Sequence, residues 1–390
     1  MLTLFLITFV NLLGFGLIIP LLPFYIERVG GGPEIITLVI ALYSLLQFLV
    51  APMIGRLSDR HGRRPVLIWT TSAVIVSHVL LAFADSLWLV ILARSIGGMA
   101  AGNSGVVFAY ITDISSGADR AKSMGYLGAA FSLGFMFGPV IGGLLAGADV
   151  ETANFVLPAL VAAGLTVVAL VGLLIFLPES LAEEQRSAQD RQTSALSAQL
   201  RAAFANRTFT MLSVIAFLLY VSWSALLSIF ALWQNRVLAL GPRDIGLFFM
   251  FSGFVGAVVQ LTLIGSLTKR FGEATLLMTT IVGMGAGLAL LVDAHTVFVA
   301  LVAMTLMSTA HSIFSPVSTS LVSKYAQPTE RGMLLGLYQG VGGLGRVVGP
   351  AYAGTAFAQL GAGSPYLIGA LLMVPCVMLA LAATRQPKPA

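Results

Sequence analysis

The sequence predicts an all-α membrane protein in which twelve transmembrane helices form two pseudo-symmetric six-helix bundles. The 390-residue chain is 58% hydrophobic and only 9% charged, whereas soluble domains average about 45–50% apolar and about 25% charged residues. Apolar runs long enough to cross a bilayer, roughly 20 residues each, recur along the whole chain. Two separate segments of the first half also recur in the second half, which indicates duplication.

Polar residues and turn-forming residues divide the chain into twelve apolar runs. The first run, MLTLFLITFVNLLGFGLIIPLLPFY, has neither a basic start nor a small-residue cleavage site, so it predicts an uncleaved helix rather than a signal peptide. Most connections between runs are short, as between antiparallel neighbouring helices. The expected spans 1 to 12 are residues 3–25, 35–57, 66–84, 87–111, 123–147, 154–177, 208–233, 244–267, 274–292, 296–322, 332–357 and 364–383.

The long connection in the middle of the chain, PESLAEEQRSAQDRQTSALSAQLRAAFANR, is polar and rich in Gln, Ser and Ala. Such a composition is typical of a solvated connector between bundles. The domains expected are therefore an N-terminal six-helix bundle over 1–178, a cytoplasmic connector over 179–206 and a C-terminal six-helix bundle over 207–390. An amphipathic surface helix is expected around 194–205 of this connector.

The distribution of basic residues predicts the orientation of the chain. If the N-terminus is inside, sixteen of the 21 Lys and Arg residues lie on the inner side. Basic residues concentrate in the cytoplasmic loops of membrane proteins. We therefore expect a multi-pass protein of the cytoplasmic (inner) membrane with both termini in the cytoplasm. The loop GRLSDRHGRRP (55–65) then lies on the cytoplasmic side.

Two internal matches define the repeat. DRAKSMGYLGAAFSLGFMFGP (119–139) aligns with ERGMLLGLYQGVGGLGRVVGP (330–350) at an offset of 211 residues, and GRLSDRHG (55–62) aligns with GSLTKRFG (265–272) at an offset of 210. Two unrelated segments at nearly one offset indicate duplication of a six-helix unit. Repeats of this kind are typical of secondary transporters, whose substrate sites lie near the membrane midplane at the repeat interface.

Four motifs carry a resemblance that covers nearly the whole chain. They are GRLSDRHGRR (55–64), Arg94 with Gly97, Gly98 and Gly102, the span-5 stretch GFMFGPVIGG (134–143), and GFGLIIPLLPFY in span 1 with Pro20 and Pro23. On these motifs the chain resembles the major facilitator superfamily. Within it, the chain is most similar to the twelve-helix drug:H+ antiporters, the branch that contains the tetracycline exporters.

The charged loop between spans 2 and 3 is the first functional element that the resemblance implies. In this family the loop latches the two bundles on the cytoplasmic side when the cavity faces outward. We expect its glycines to permit close helix approach, Asp59 to stabilise the N-terminus of the following helix, and its arginines to pair with Asp59 or Asp113. The alternative is a topology anchor without a gating role. The implied network comprises Gly55, Asp59, Arg60, Gly62, Arg63, Arg64 and Asp113.

The span-5 glycines have small-xxx-small spacing, which lets helices pack backbone to backbone in lipid. A proline in such a helix frees a carbonyl and can bend it. The resemblance implies a seam that biases the transport cycle towards export, and the alternative is a rigid packing seam. The residues of this antiporter motif are Gly134, Gly138, Pro139, Gly142 and Gly143.

Polar residues at membrane depth are costly and are therefore candidates for a substrate cavity. The resemblance implies that spans 1, 4, 7 and 10 line this cavity and that spans 2, 5, 8 and 11 close it. A lone histidine can instead bond a neighbouring backbone group, and Trp223 can instead face lipid. The candidate cavity residues are Asn11, Gln47, Arg94, Asn103, Tyr220, Trp223, His311, Tyr338, Gln339 and Arg346.

The sequence departs from tetracycline exporters in one respect: its sixteen acidic residues all lie at span ends or in loops. Asn11 aligns where those exporters carry an acid, and span 3 offers only Ser77 and His78. Possible proton carriers are Glu27, His78 and His311. Because Arg94 and Arg346 face no fixed negative charge, we expect anionic or neutral amphiphilic substrates rather than cations.

The leading hypothesis is a secondary active transporter that exports small amphiphilic drugs or metabolites by alternating access and proton antiport, which would support multidrug efflux and antibiotic resistance. No phosphate loop, metal-ligand spacing or nucleophile motif indicates an enzyme. We expect no cofactor and no metal, a proton gradient as the energy source, no nucleic-acid partner and a monomer in the bilayer. Alternatives are a facilitator or exchanger for an organic anion or lipid-like metabolite, and a non-transporting receptor or scaffold.

Overall fold

The computed structural model describes residues 2–115, 117–181, 203–325 and 331–384. Within these ranges the ordered elements are helices, and no β-strand occurs. The chain divides into two compact units. The first unit is Met1–Gln192 with Ala239–Gly253, and the second is Thr193–Leu238 with Phe254–Ala390.

The units do not follow the halves of the sequence in every detail. Residues 239–253, which were expected in the second bundle, pack with the first unit. Residues 182–202 of the expected connector, which include most of the amphipathic helix expected near 194–205, lie outside the described residues. The bundle boundaries 1–178 and 207–390 therefore stay a prediction.

The helices of the first unit correspond to the six spans expected there. Proline and glycine set several of their ends. Pro33 is the first residue of its helix, a position at which a backbone N–H would have no partner within the helix, so the missing N–H of proline costs nothing there. Gly62, at a φ of 100°, turns the chain between two helices. The helices are α1 (Leu2–Ile18), α2 (Leu22–Arg28), α3 (Pro33–His61), α4 (Arg63–Ala82), α5 (Leu87–Ala101), α6 (Ser104–Ile114), α7 (Gly117–Ala146) and α8 (Val156–Phe176).

The second half repeats this order of helices. Gly272, at a φ of 75°, stands where Gly62 stands in the first half, and again turns the chain from one helix into the next. The helices are α9 (Arg207–Leu238), α10 (Pro242–Val258), a π-helical turn (Val259–Leu263), α11 (Ile264–Phe271), α12 (Glu273–Val292), α13 (Val297–Tyr325), α14 (Arg331–Leu360) and α15 (Ser364–Thr384). The π-helical turn lies within the expected span 244–267.

Length and apolar composition make these helices membrane-spanning. In the described part of the chain, nine helices are long and apolar enough to cross a bilayer, and the bent pair Phe5–Ile18 and Leu22–Arg28 makes ten. The bend of 43° falls at Pro20, which lacks the N–H that would continue the helix. The two other expected spans are helical as well: one is the α5–α6 pair, and the other is the glycine-rich α14. The all-α, membrane-spanning fold class is confirmed.

The break between α5 and α6 was not expected. It falls at Gly102 and Asn103, inside the run 87–111. Gln47 Nε2 on α3 donates to the carbonyl of Ala101 at 3.2 Å, and Asn103 Nδ2 donates to Thr70 Oγ1 on α4 at 2.8 Å. These two side chains, expected to line a cavity, thus hold the broken helix against its neighbours.

The repeat at an offset of 211 residues corresponds to the same kind of helix crossing in each unit. In the first unit α7 packs against α1, and a Cβ built on Gly138 would lie 2.7 Å from the Cα of Gly16. In the second unit α14 packs against α9, and a Cβ built on Gly345 would lie 2.8 Å from the carbonyl oxygen of Phe217. Glycine is therefore required at both crossings because the helices meet backbone to backbone.

Candidate functional site

A charge cluster in the first unit centres on Arg63, at the start of α4. Arg63 Nη1 donates to Asp59 Oδ1 at 2.5 Å and to Ser58 Oγ at 2.7 Å. Its Nε donates to Asp113 Oδ2, at the end of α6, at 3.2 Å. The Arg63 side chain is only 8% exposed, whereas the carboxylates of Asp59 and Asp113 are 32% and 22% exposed, so water reaches the acids but hardly reaches the guanidinium. Arg63 thus makes both of the pairings, with Asp59 and with Asp113, that were expected of the loop's arginines.

Glu179, directly after α8, completes the cluster and was missed by the sequence analysis. Its Oε1 accepts the backbone N–H of Arg63 at 2.8 Å, and its Oε2 accepts that of Arg64 at 3.1 Å. A carboxylate at this position satisfies orphan donors and complements the helix dipole. Asp59, which lies within α3, binds the side chain of Arg63, and its expected stabilisation of the N-terminus of α4 stays a prediction.

The remaining loop residues have different surroundings. Gly62 needs glycine because of its positive φ, but a Cβ built on Gly55 would meet no atom within 4 Å, so close helix approach at Gly55 is not observed. Arg64 Nη2 donates to the carbonyl of Leu174 on α8 at 2.7 Å. Arg60 is exposed. The gating function of this loop stays a prediction.

The second unit carries an ion pair at the corresponding place. Glu273 opens α12, and its Oε2 lies 2.8 Å from Lys324 Nζ on α13. Ser320 Oγ donates to Glu273 Oε1 at 2.7 Å. The Glu273 side chain is 12% exposed. Each unit thus ties the start of one helix to the last turn of the following span by a charge pair.

Arg94 on α5 is enclosed within the first unit. Its side chain lies over the ring of Tyr43 on α3, with 4.4 Å between the guanidinium carbon and the ring centroid. Tyr43 stacks on Phe15 at 5.7 Å. Within the described residues, Arg94 Nε is buried without a hydrogen-bond partner. Tyr43 and Phe15 were missed, since aromatic residues are common along the chain and neither position stands out.

In the second unit, four of the expected cavity residues come together with Phe314, a group that we term the aromatic–arginine cluster. Trp223 and His311 stack with ring centroids 4.3 Å apart and an interplanar angle of 10°. Tyr220 contacts His311 edge to face at 5.9 Å, and the Arg346 guanidinium lies 5.4 Å from the Tyr220 centroid. The cluster members are Tyr220, Trp223, His311, Phe314 and Arg346.

The aromatic–arginine cluster is partly open. Arg346 is exposed, and Tyr220, Trp223 and His311 are half-buried. Gln339, exposed on α14, lies seven residues before Arg346 and therefore on the same helix face. Among the described residues, Arg346 makes no ion pair or hydrogen bond. These residues combine a free cationic group with flat aromatic surfaces.

Other expected site residues lie in packing positions. Tyr338 is 2% exposed, so it is enclosed rather than lining an open cavity. His78 is also 2% exposed, and its Nδ1 lies 3.5 Å from Thr166 Oγ1 on α8. Asn11 on α1 and Glu27 on α2 are half-buried. The burial of His78 favours the interpretation of a histidine that joins two helices.

The span-5 motif packs against two neighbours. Gly134 faces Leu12 on α1, where a built Cβ would lie 2.7 Å from the Leu12 Cβ. Gly138 faces Gly16, and Gly142 faces Leu17. Gly143 instead faces Pro242, which belongs to the first unit. Helix α7 runs through Pro139 without a break, so packing of the seam is observed, and the export bias stays a prediction.

Comparison with known proteins decides the family. The family model described as Major Facilitator Superfamily matches residues 4–263 and 212–390. The chain belongs to the Major Facilitator Superfamily. It is therefore a multi-pass membrane transporter and not an enzyme.

The relatives of this superfamily member span its length. It is 28% identical over 370 residues to the tetracycline resistance protein, class C, of Escherichia coli, covering 93% of this chain and 92% of that protein. It is 27% identical over 371 residues to multidrug resistance protein 2 of Bacillus subtilis (strain 168), covering 94% and 90%. The solved structure of the nucleoside transporter NupG superposes with a TM-score of 0.79 at 15% identity, covering 99% of both chains. That likeness supports the fold.

Proposed function

We propose that this superfamily member exports small amphiphilic drugs or metabolites by alternating access, in exchange for protons. The observation that carries the proposal is full-length similarity to resistance proteins of two kinds, one named for tetracycline and one for multiple drugs. Export of a toxic compound is the simplest route by which a membrane transporter confers resistance. We place the protein in the cytoplasmic membrane with both termini inside, on the distribution of its basic residues.

The charge cluster around Arg63 is proposed as the conformational latch of the cycle. Its guanidinium bonds two carboxylates, so any movement of α6 against α3 must stretch one of these bonds. Glu179 adds a third carboxylate, which fixes the first turn of α4. The ion pairs of this cluster join the ends of α3 and α6 to the start of α4. Such a cluster can be either formed or broken. Such bistability is what a switching element requires.

The proton carrier is assigned first to His311. His78 is enclosed between helices and 2% exposed, which leaves a proton no ready path to its ring. Glu27 lies at the end of α2 and is half-buried. His311 instead lies among half-exposed residues on two helices, and a histidine that changes charge there would alter the local field. A His311→Gln variant should therefore transport without a response to the pH gradient.

The proposal is tested in proteoliposomes that contain the purified full chain. A pH gradient is imposed, and uptake of a panel of anionic, neutral and permanently cationic amphiphiles is followed with and without a protonophore. Accumulation above equilibrium that the protonophore abolishes is expected for at least one compound. Substrate that only equilibrates, with or without a gradient, would contradict proton-coupled export.

A facilitator or exchanger for organic anions is the second candidate function. The observation that favours it is that Arg94 and Arg346 lie within spans and make no ion pair among the described residues. In the same proteoliposomes, this function predicts equilibration of anions without a pH gradient. Faster movement when unlabelled anion is present on the opposite side would identify an exchanger.

A further inference from the structure

We propose that the aromatic–arginine cluster of the second unit is a binding site for planar aromatic carboxylates. The inference names a substrate class for the proposed export function. It rests on that function only in taking the bound compound to be a transported substrate. Binding itself requires neither a direction of transport nor a proton gradient. The two proposals can therefore fail separately.

The charge of Arg346 is the first argument. Arg346 lies about halfway along α14, a helix of 30 residues that corresponds to the expected span 332–357. Its side chain is exposed, and its contact with Tyr220 leaves the guanidinium without an anion. An arginine at this depth is costly unless it meets water or a partner. A carboxylate is the partner whose geometry matches the guanidinium best, through two parallel hydrogen bonds.

The acids of the second unit do not supply that partner. Within its described residues these acids are Glu273 and Asp293, at opposite ends of α12. Glu273 is bound to Lys324 at 2.8 Å, and Asp293 lies 3.0 Å from His295 Nε2. Both carboxylates are committed to neighbours at the helix ends. An anion for Arg346 therefore has to come from outside this part of the chain.

The aromatic members specify the shape of that anion. Trp223 and His311 are nearly parallel and 4.3 Å apart, and Tyr220 contacts His311 edge to face. Trp223 follows Tyr220 by three residues, so both project from the same side of α9. Half-buried flat rings of this kind bind other flat rings by stacking. A planar aromatic group can thus contact these rings while its carboxylate reaches Arg346.

Glycines on α14 allow this arrangement. A Cβ built on Gly342 would lie 3.0 Å from the Tyr220 ring. The ring therefore packs against the helix backbone, and Arg346, four residues later, extends over it at 5.4 Å. Gln339 on the same face offers an amide that can donate a further hydrogen bond.

The site should discriminate by charge and by shape. A cation gains stacking but is repelled by Arg346, with no acid in the described cluster to offset the repulsion. An aliphatic carboxylate gains the guanidinium but loses the stacking contacts. A neutral aromatic compound gains stacking alone. Aromatic carboxylates should therefore bind most tightly, neutral aromatic compounds less tightly and aromatic cations most weakly. Aliphatic carboxylates should also bind more weakly than aromatic carboxylates.

The test is direct binding to the purified full chain in lipid nanodiscs, measured by calorimetry and by quenching of tryptophan fluorescence. The probes are 1-naphthoate, 1-naphthalenemethanol, 1-naphthylmethylammonium and cyclohexanecarboxylate. We expect 1-naphthoate to bind at least tenfold more tightly than the alcohol, because only the carboxylate can form a charge-assisted pair of hydrogen bonds with the Arg346 guanidinium. Arg346→Gln should remove this difference, and Trp223→Leu should weaken all three naphthyl probes.

Arg331→Gln is the matched control, because Arg331 is an exposed arginine at the start of the same helix. It should bind all four probes as the wild type does. Equal or tighter binding of the ammonium probe to the wild type would overturn the proposal without any variant. Unchanged 1-naphthoate binding in a folded Arg346→Gln protein, or in Trp223→Leu, would also overturn it. Binding without transport would leave this site standing and refute the export function instead.

Discussion

Glu273 at the start of α12 binds Lys324 near the end of α13, with 2.8 Å between Oε2 and Nζ. The repeat offsets of 210 and 211 residues relate Glu273 to Arg63 and Lys324 to Asp113 in the first unit. In the first unit the base, Arg63, precedes the acid, Asp113. In the second unit the acid, Glu273, precedes the base, Lys324. The two units therefore form an ion pair at equivalent positions, with the charges exchanged. The pairing is common to both units, although the identity of each charge is not.

Exchanging the charges of the second-unit pair tests whether pairing alone matters. Glu273→Lys or Lys324→Glu alone sets like charges side by side and should lower the free energy of unfolding by about 1 kcal/mol, because Lys324 is 61% exposed. The double exchange should recover most of this loss. Thermal unfolding in detergent measures both effects.

Asp293→Lys is the control for this exchange, since the Asp293 side chain is 92% exposed beside His295. It should leave the unfolding temperature within error of the wild type. A double exchange no more stable than either single variant would mean that the backbone setting, rather than the pairing, selects the order of charges.

Removing Arg63 should be far more damaging than removing a neighbouring arginine. Arg63→Gln leaves the carboxylates of Asp59 and Asp113 without the cation that they share. These side chains are 32% and 22% exposed, so water replaces part of the lost interaction, and the expected cost is about 1–3 kcal/mol. We expect a large fall in unfolding temperature and loss of most transport in proteoliposomes. Arg56→Gln, at an exposed position of the same charged loop, should change neither. Equal effects of the two substitutions would argue for a topology anchor.

Parts of the charge cluster could be predicted from the sequence, and parts could not. In so apolar a chain, Arg63 and the nearby acids must pair, and Asp113 ends a neighbouring span, so their contact was foreseeable. Glu179 lies 116 residues after Arg63. Its approach depends on how α8 returns beside α4, which no local pattern encodes. Glu179 was therefore missed because it lies far from Arg63 in the sequence, although a carboxylate is well suited to bind the start of a helix.

The aromatic–arginine cluster shows the same division. Polar or amphipathic residues within apolar runs identify Tyr220, Trp223, His311 and Arg346 one by one, because such residues are costly in lipid. Their assembly depends on the crossing of α9 with α13 and α14, which the glycine spacing only suggests. Phe15 and Tyr43, which lie around Arg94, could not be predicted, because nothing distinguishes them from the other aromatic residues in a chain with 24 Phe and nine Tyr residues.

Glu179 should contribute to stability as a helix cap. Glu179→Ala leaves the N–H groups of Arg63 and Arg64 without their carboxylate, and a lost cap costs about 1–2 kcal/mol. Glu179→Gln keeps one acceptor oxygen and should cost less. Glu151→Ala, in an exposed loop of the same unit, serves as the control and should be neutral in thermal unfolding. A neutral Glu179→Ala would show that water replaces the carboxylate at little cost.

Glycine at the α9–α14 crossing should be irreplaceable. A Cβ at Gly345 would lie 2.8 Å from the carbonyl oxygen of Phe217 and 2.9 Å from the Tyr220 Cβ, so Gly345→Ala forces two helices apart. Overpacking of this kind costs about 1–3 kcal/mol. Gly336→Ala on the same helix meets no atom within 4 Å and should be neutral or slightly stabilising. Thermal unfolding of the two variants distinguishes a packing seam from a glycine-rich sequence without steric constraint.

Transport should depend on the flat shape of the Arg94 guanidinium, which lies over the Tyr43 ring, as well as on its charge. Tyr43→Phe keeps the ring face and should transport nearly as the wild type does, whereas Tyr43→Leu removes it. A desolvated cation–π contact contributes about 2 kcal/mol, so Tyr43→Leu should slow transport by tenfold or more if Arg94 acts from this position. Arg94→Lys should be similarly impaired, because a lysine lacks the flat guanidinium and loses its proton more readily on burial. Initial rates under an imposed pH gradient measure all three, and full activity of Arg94→Lys would show that charge alone suffices.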